Sequence, residues 1–311
     1  MKAVRIHAYG GPDVLHYEEN VPLPPLNSDD ILIRVQAAAV NPVDWKIREG
    51  YLRKVLNHHL PLILGWDVAG EVVEIGADVV EFKVGDAVYA RPNIERDGSY
   101  AEYIAVKASD AAHKPVTLDS KHAAAVPLAA LTAWQSLVEA AQLSAGQTVL
   151  IHAAAGGVGS FAVQLAKAKG ARVIATASAI NAGLVTELGA DEFIDYTKIH
   201  FEAAVKDVDV VFDTVGGDTQ ERSWRVLKPG GILVSVINPP SAASAAAHSA
   251  RKAFVFIQPS GAQLTAIARL IDEGQMKPII HTLLPLSEVR QAHAISQGGH
   301  ARGKIVLNIA D

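Results

Sequence analysis

The chain has 311 residues, half of them hydrophobic and a fifth charged, with a formal charge of -5, a length that favours two domains. A pI near 6.2 without a basic stripe argues against a nucleic-acid partner, and no apolar run is long enough to span a bilayer. The absence of cysteine excludes disulfides, iron–sulfur clusters and four-cysteine zinc lobes.

The opening stretch "MKAVRIHAYGG" reads as a strand entering a turn, without the apolar core of a signal peptide, so a cytoplasmic location is the expectation. As far as about Pro115 the chain is strand-like and turn-rich. The runs "DDILIRVQAAAV", "GEVVEIG", "VGDAVYA" and "SYAEYIAV" are β-prone and separated by Gly, Asp and Pro, the texture of a mostly β, barrel-like domain. From Lys121 the Ala-rich "KHAAAVPLAALTAWQSLVEAAQ" has helical periodicity, and strands then alternate with helices. Strands are expected at Thr148 to His152, Ala171 to Ala175, Glu192 to Asp195, Val208 to Asp213, Gly231 to Val236 and Ala253 to Ile257. Six strands in that rhythm fit a doubly wound parallel sheet, an α/β Rossmann architecture. "NPPSAASAAAHSA" is read as a mobile loop, a helix from Gln263 to Glu273 as closing the unit, and "PIIHTLLPL" with "GKIVLNI" as β structure returning to the first domain. The expected division is 1–119 completed by 279–311, and 120–278.

The stretch "IHAAAGGVGS" places Ala154, Gly156 and Gly159 on the three positions of a dinucleotide-binding G-x-G-x-x-G turn. The middle glycine lets the backbone approach a pyrophosphate, and the last lets the helix pack on the strand. Alanine at the first asks only that the turn avoid positive φ there. The turn follows "QTVLI" and precedes a helix with Val158, Phe161, Ala162 and Leu165 on one face. The amides of Gly156, Gly157, Val158 and Gly159 are therefore candidates for a pyrophosphate at a helix N-terminus; an ordinary tight turn is the plainer alternative.

The second strand of the sheet, "ARVIATAS", ends in Ala177 and Ser178. No carboxylate stands there to bond a ribose 2′-hydroxyl, and Ser178 can donate to a 2′-phosphate, so NADP(H) is favoured over NAD. Tyr196 and Lys198 can add contacts or serve the core or surface. Val215 and the run Ser235, Val236 and Ile237 follow the fourth and fifth strands, at carboxyl ends where open α/β sheets bind ligands. Trp45 and Trp66 offer flat apolar walls to an aromatic acceptor, although tryptophans also fill cores.

These stretches resemble the zinc-independent quinone oxidoreductases of the medium-chain dehydrogenase/reductase superfamily. The resemblance runs over essentially the whole chain, through "AAAVNPVDWKIREG", "PLILGWDVAGEVVEIG", "FKVGDAVYA", "GSYAEY", "AAAGGVGSFAVQLAKAKGARVIAT", "VFDTVGG" and "LKPGGILVSV". It implies a GroES-like domain, a Rossmann domain, NADPH and a homodimer. By the same resemblance Asn41 lies near the nicotinamide ribose or the substrate oxygen, and Tyr51 is a phenol donor at the acceptor. Thr132 lies near the carboxamide or the phosphates, Lys304 is close to the cofactor, and Arg302 can reach a phosphate. Each has a plain alternative: an Asx contact for Asn41, a back-bonded helix hydroxyl for Thr132, solvated charges for Arg302 and Lys304. Asp44 is read as structural, bonding Lys46 or nearby backbone.

Where the zinc-dependent branch has a cysteine ligand this sequence has Asn41-Pro42, and in place of Gly-His-Glu it has Gly65-Trp66-Asp67. Two ligands are gone, and adjacent His58 and His59 diverge in a loop, so no metal is expected. Without a Lewis acid, alcohol oxidation lacks a stabiliser for the alkoxide, whereas a quinone or an α,β-unsaturated carbonyl is already electrophilic. The leading expectation is an NADPH-dependent quinone reductase. The alternatives are an alkene or enoyl reductase, and a sensor or scaffold that binds NADPH without turnover.

Overall fold

The computed structural model describes residues 1–310. It contains two compact units: Met1–Leu128 joined by Gln258–Gly274 and the segment from Pro278 onward, and Ala129–Ile257 joined by Gln275–Lys277.

The first unit begins with β1 (Ala3–Ile6), β2 (Leu15–Glu18), β3 (Asp30–Val40), α1 (Pro42–Arg48), β4 (Leu62–Ile63), β5 (Val68–Ile75), β6 (Ala87–Ala90), β7 (Tyr103–Lys107), β8 (Ala111–His113) and α2 (Ser120–Ala124). The second follows with α3 (Pro127–Trp134), β9 (Thr148–Ile151), α4 (Gly157–Ala168), β10 (Arg172–Ala177), α5 (Ala182–Glu187), β11 (Glu192–Asp195), α6 (Phe201–Ala204), β12 (Val208–Asp213), α7 (Gly217–Ser223), β13 (Leu227–Ser235), α8 (Ala242–Ala247) and β14 (Arg251–Phe254). The chain then forms α9 (Gly261–Asp272), β15 (Ile280–Pro285), α10 (Val289–Gln297) and β16 (Lys304–Asn308).

In the first unit a sheet of order β2-β1-β4 accompanies a larger one, β15-β16-β3-β5-β6-β8, with β7 also paired to β3. The long strand β3 takes β16 and β5 antiparallel on either side, with Val40 opposite Ile305 and Ala38 opposite Val68. Its alternate apolar residues Ile31, Ile33 and Val35 meet Val68, Val72, Val88, Ile104 and Val106 in a closed core. Each such side chain contributes about 1.5–3 kcal/mol by leaving water.

The second unit is a parallel sheet of order β11-β10-β9-β12-β13-β14. Numbered from β9 as first, the order is 3-2-1-4-5-6, that of the Rossmann sheet, in which ligands bind beyond the carboxyl ends of the strands. Leu150, Ile174, Val211, Leu233 and Trp224 are buried together in its core.

Two helices depart from expectation, and β14 runs over Arg251–Phe254 where a strand was expected at Ala253 to Ile257. The run read as a mobile loop contains α8, because alanine is the best helix former and Ser241 caps the helix by accepting Ser244 N at 3.1 Å. The helix α9, expected to close the nucleotide unit, belongs to the first unit. Tyr89 Oη donates to Leu264 O at 2.6 Å, and a β-carbon on Gly261 would sit 2.2 Å from Ala111 O. Among the described residues no helix is long and apolar enough to cross a membrane.

Candidate functional site

In the second unit, β9 ends at Ile151 and the chain turns through Ala153 into α4. The left-handed residue is Ala153, with φ 49°, one place before the Ala154 position at which the glycine pattern begins. A non-glycine residue held there is strained, a frequent mark of a functional turn. Gly156 caps the helix with φ -77°, so its place is not dictated by handedness. Gly159 is the tight position: a β-carbon there would lie 2.3 Å from Ala153 O. The first amides of α4, at Gly157, Val158 and Gly159, have no carbonyl one turn back, which leaves donors for an anion.

His152 braces this turn from beneath. Its Nδ1 is 3.1 Å from Thr176 Oγ1 and its Nε2 is 3.0 Å from Ser223 Oγ, while Ser223 donates to Thr219 O. Because the Ser223 proton is spent, Nε2 carries the hydrogen and Nδ1 accepts from Thr176. Burial pushes this imidazole below its usual range, so it is neutral.

At the carboxyl end of β10 the Ser178 hydroxyl accepts from Asn181 Nδ2 at 3.0 Å, which leaves its own proton free to donate. Tyr196 is 54% exposed nearby, its backbone amide donating to Ala177 O, and Lys198 is exposed. Asp195, paired in register with Ala177, turns its Oδ1 to Thr197 Oγ1 at 2.7 Å; this bond leads the causes holding its carboxyl below the usual range. Thr132 is buried in α3.

Asp213, at the end of β12, was not singled out from the sequence, yet it organises the next loop. It accepts Val215 N at 3.0 Å, Gly216 N at 2.8 Å, Gln220 Nε2 at 2.9 Å and Ser235 Oγ at 2.8 Å. The Val236 amide donates to Asp213 O and the Ile237 amide to Ser235 Oγ. Of the backbone groups expected to hold the cofactor here, the N–H groups of Val215, Val236 and Ile237 are engaged by these bonds, as is the Ser235 hydroxyl. The donors are spent inside the loop, and the backbone carbonyls are what it can offer a carboxamide.

In the first unit, Asn41 is the residue between β3 and α1. Its Nδ2 donates to Asp67 Oδ2 at 2.8 Å, and its Oδ1 accepts from Lys304 Nζ. Lys304 Nζ also donates to Asp67 Oδ2 at 2.9 Å and to Val40 O at 3.4 Å. Asp67 accepts Leu128 N through Oδ1 at 2.6 Å. Lys304 is only 3% exposed, so the solvated-charge reading is corrected: its ammonium stands inside the unit, opposite a carboxylate. Burial raises the Asp67 carboxyl, and the Lys304 charge opposes that rise.

Asp44 caps α1 by accepting Asn41 N at 2.8 Å and also accepts Tyr100 Oη at 2.7 Å. Burial pushes its carboxyl up to about 7, against its hydrogen bonds with Asn41 and Tyr100. The chain of polar contacts continues from Tyr100 to His293 Nε2 at 3.3 Å and from His293 Nδ1 to Arg48 at 3.1 Å.

Tyr51 is 65% exposed, edge-on to Trp45 at 6.0 Å, and hydrogen-bonded to Glu49, which pushes its phenol above its usual range. It stays a donor rather than an acid. Trp45 is partly buried, and its Nε1 has no hydrogen-bond partner. Trp66 is corrected: it is fully buried, donates from Nε1 to Arg96 O at 3.3 Å and stacks on His58, so it walls the interior and not an open pocket. Arg302 is exposed, its amide bonded to His281 Nδ1.

Comparison with known proteins gives two family matches: "Alcohol dehydrogenase GroES-like domain" over residues 27–116 and "Zinc-binding dehydrogenase" over residues 188–307. The chain is 35% identical to the mitochondrial NAD(P)H oxidoreductase RTN4IP1 of Danio rerio, covering 100% of this chain and 92% of that protein. It is 40% identical to the chloroplastic NADPH-dependent alkenal/one oxidoreductase of Arabidopsis thaliana, covering 99% and 79%. The solved quinone oxidoreductase from Coxiella burnetii superposes with a TM-score of 0.92 at 36% identity, covering 100% and 99% of the two chains.

The second family description implies a zinc ion, and the residues here do not fit one. The Asn41 oxygen and the Asp67 carboxylate are engaged by the Lys304 ammonium, the intervening Trp66 has no ligand atom, and His58 Nε2 is 2.6 Å from Ile94 O. Among the described residues no three His, Cys, Asp or Glu side chains stand together as a metal site.

Proposed function

From a chain that belongs to the medium-chain dehydrogenase/reductase superfamily, as an oxidoreductase of its quinone oxidoreductase-like kind, we propose an NADPH-dependent reductase of quinones. The observation that carries this reading is the engagement of Asn41 and Asp67 by Lys304, at the positions where the zinc-dependent branch gathers its metal. A site with hydrogen-bond donors but no Lewis acid suits an acceptor that is electrophilic before it binds.

When bound, the reduced nicotinamide supplies a hydride. The residues of this chain do the rest. The amides of Gly157, Val158 and Gly159 hold the pyrophosphate at the positive end of α4, and the Ser178 hydroxyl donates to the 2′-phosphate. The carbonyls of Val215, Val236 and Ile237 accept from the carboxamide, and Thr132 lies near it. The Asn41 amide hydrogen left over from its bond to Asp67 donates to the acceptor oxygen as charge develops there. Tyr51 is a second donor once its proton leaves the Glu49 carboxylate, Trp45 an apolar wall, and Arg302 a phosphate contact from the surface.

A second reading, reduction of the alkene bond of α,β-unsaturated carbonyls, is favoured by the activity for which the Arabidopsis relative at 40% identity is named. Consumption of NADPH and NADH against 1,4-benzoquinone, 9,10-phenanthrenequinone, 2-alkenals and cyclic enones separates the two. Turnover confined to quinones supports the first reading, turnover confined to enones the second, and none at all the non-catalytic sensor or scaffold. A homodimer and a cytoplasmic location are further parts of the proposal; the RTN4IP1 relative is named mitochondrial.

A further inference from the structure

Three strands bring Asn41, Asp67 and Lys304 to one point. Asn41 follows the last residue of β3, Lys304 opens β16 next to the Ile305 and Val40 pair, and Asp67 precedes β5, where Val68 stands opposite Ala38. The ammonium of Lys304 has three hydrogens, and three acceptors receive them: Asn41 Oδ1, Asp67 Oδ2 and Val40 O. None is left for a phosphate.

The consequence falls on the Asn41 amide, whose two ends are nearly equal in shape and opposite in hydrogen-bonding character. A cation faces its oxygen and a carboxylate faces its nitrogen. Turning the amide over would set NH2 against ammonium and a carbonyl against carboxylate, two repulsive contacts among side chains that are almost wholly buried. One orientation therefore survives, with the oxygen and one N–H spent and one N–H remaining.

We propose that Lys304 and Asp67 are positioning residues that lock the Asn41 amide with a single N–H available for the reaction, and that Lys304 is not a cofactor ligand. The role of that N–H rests on the reductase reading above; the locking does not.

Two variants test it: Lys304→Met, and the charge-balanced Lys304→Met/Asp67→Asn, which keeps the fold measurable if the single change leaves Asp67 unpaired. Nitrogen-15 spectra follow the Asn41 side-chain amide, assigned by its loss in Asn41→Ala. In the variants its two hydrogens are expected to shift and to exchange with solvent at least about tenfold faster, with NADPH affinity held within about twofold and kcat down about tenfold or more. In the Asn41→Ala background the lysine change should cost less than about twofold in kcat, since both act through one group.

Unchanged Asn41 amide signals in the folded double variant would overturn the proposal. So would a loss of NADPH affinity of about tenfold at constant kcat, the mark of a cofactor ligand. A wild-type protein that consumes no NADPH with any acceptor would sink the reductase reading alone, and the amide signals would still decide the positioning.

Discussion

Gly159 lies so close to Ala153 that a β-carbon on it would stand 2.3 Å from the Ala153 carbonyl oxygen and 2.8 Å from Ala154 Cα. Both neighbours are backbone, so the turn must move if the side chain grows. Gly159→Ala is expected to lower stability by about 1–3 kcal/mol and to weaken NADPH binding about tenfold or more. Gly183, in α5 with open space around it, is the control, and Gly183→Ala should be neutral or slightly stabilising. Thermal melts and a fluorescence titration with NADPH read both.

Ser178→Asp should exchange the cofactor preference. A carboxylate at this strand end repels a 2′-phosphate and can bond a ribose 2′-hydroxyl, so NADPH affinity is expected to fall about tenfold or more while NADH affinity holds or improves. Equal losses for both cofactors would show that Ser178 does not read the ribose.

Ser235 and Asp213 should separate stability from binding. Asp213→Ala would strand the amides of Val215 and Gly216, the Gln220 amide and the Ser235 hydroxyl, at a cost of about 3–5 kcal/mol. Ser235→Ala should cost about 1–2 kcal/mol with NADPH affinity changed less than about twofold. Urea unfolding and cofactor titration on the two proteins make the comparison.

Asp44 gives stability an unusual dependence on pH. Its carboxyl ionises near 3.8 in the unfolded chain and, through burial, at about 7 in the folded protein. The folded state therefore holds the extra proton between those values, and this contribution is complete below about 4 and lost as pH rises to 7. His293 acts oppositely: burial and the nearby Arg48 charge lower it from 6.5 to about 3, so the unfolded state takes up the proton first and stability falls with acid across that window. The two nearly cancel between about pH 4 and 6.5. Asp44→Asn should expose the histidine contribution, steepening the rise of stability with pH there by about 1.4 kcal/mol per unit relative to wild type. Urea unfolding at a series of pH values checks it.

Much of the architecture was legible because it is written in local patterns. Glu192 to Asp195 and Val208 to Asp213 are runs bounded by turn residues, and the structure forms strands over those residues. The helix α8 (Ala242–Ala247) was missed because its small residues suggested poor packing, while alanine propensity and a serine cap decide the backbone. The nucleotide turn was visible as a motif, but the strain at Ala153 is a property of φ that no residue type announces. Least legible was the Asn41, Asp67 and Lys304 cluster: Lys304 lies 263 positions from Asn41 and resembles a surface charge until β16 is laid beside β3. Trp66 looked like a pocket wall for the same reason, since its orientation depends on Arg96 and His58.

The central claim is that this protein passes reducing equivalents from NADPH to an activated acceptor without a metal. The most direct measurement is NADPH consumption with 9,10-phenanthrenequinone before and after dialysis against a strong chelator, with zinc added back. The account predicts steady turnover that changes by less than about twofold in all three conditions. Activity that disappears on chelation and returns with zinc would contradict it.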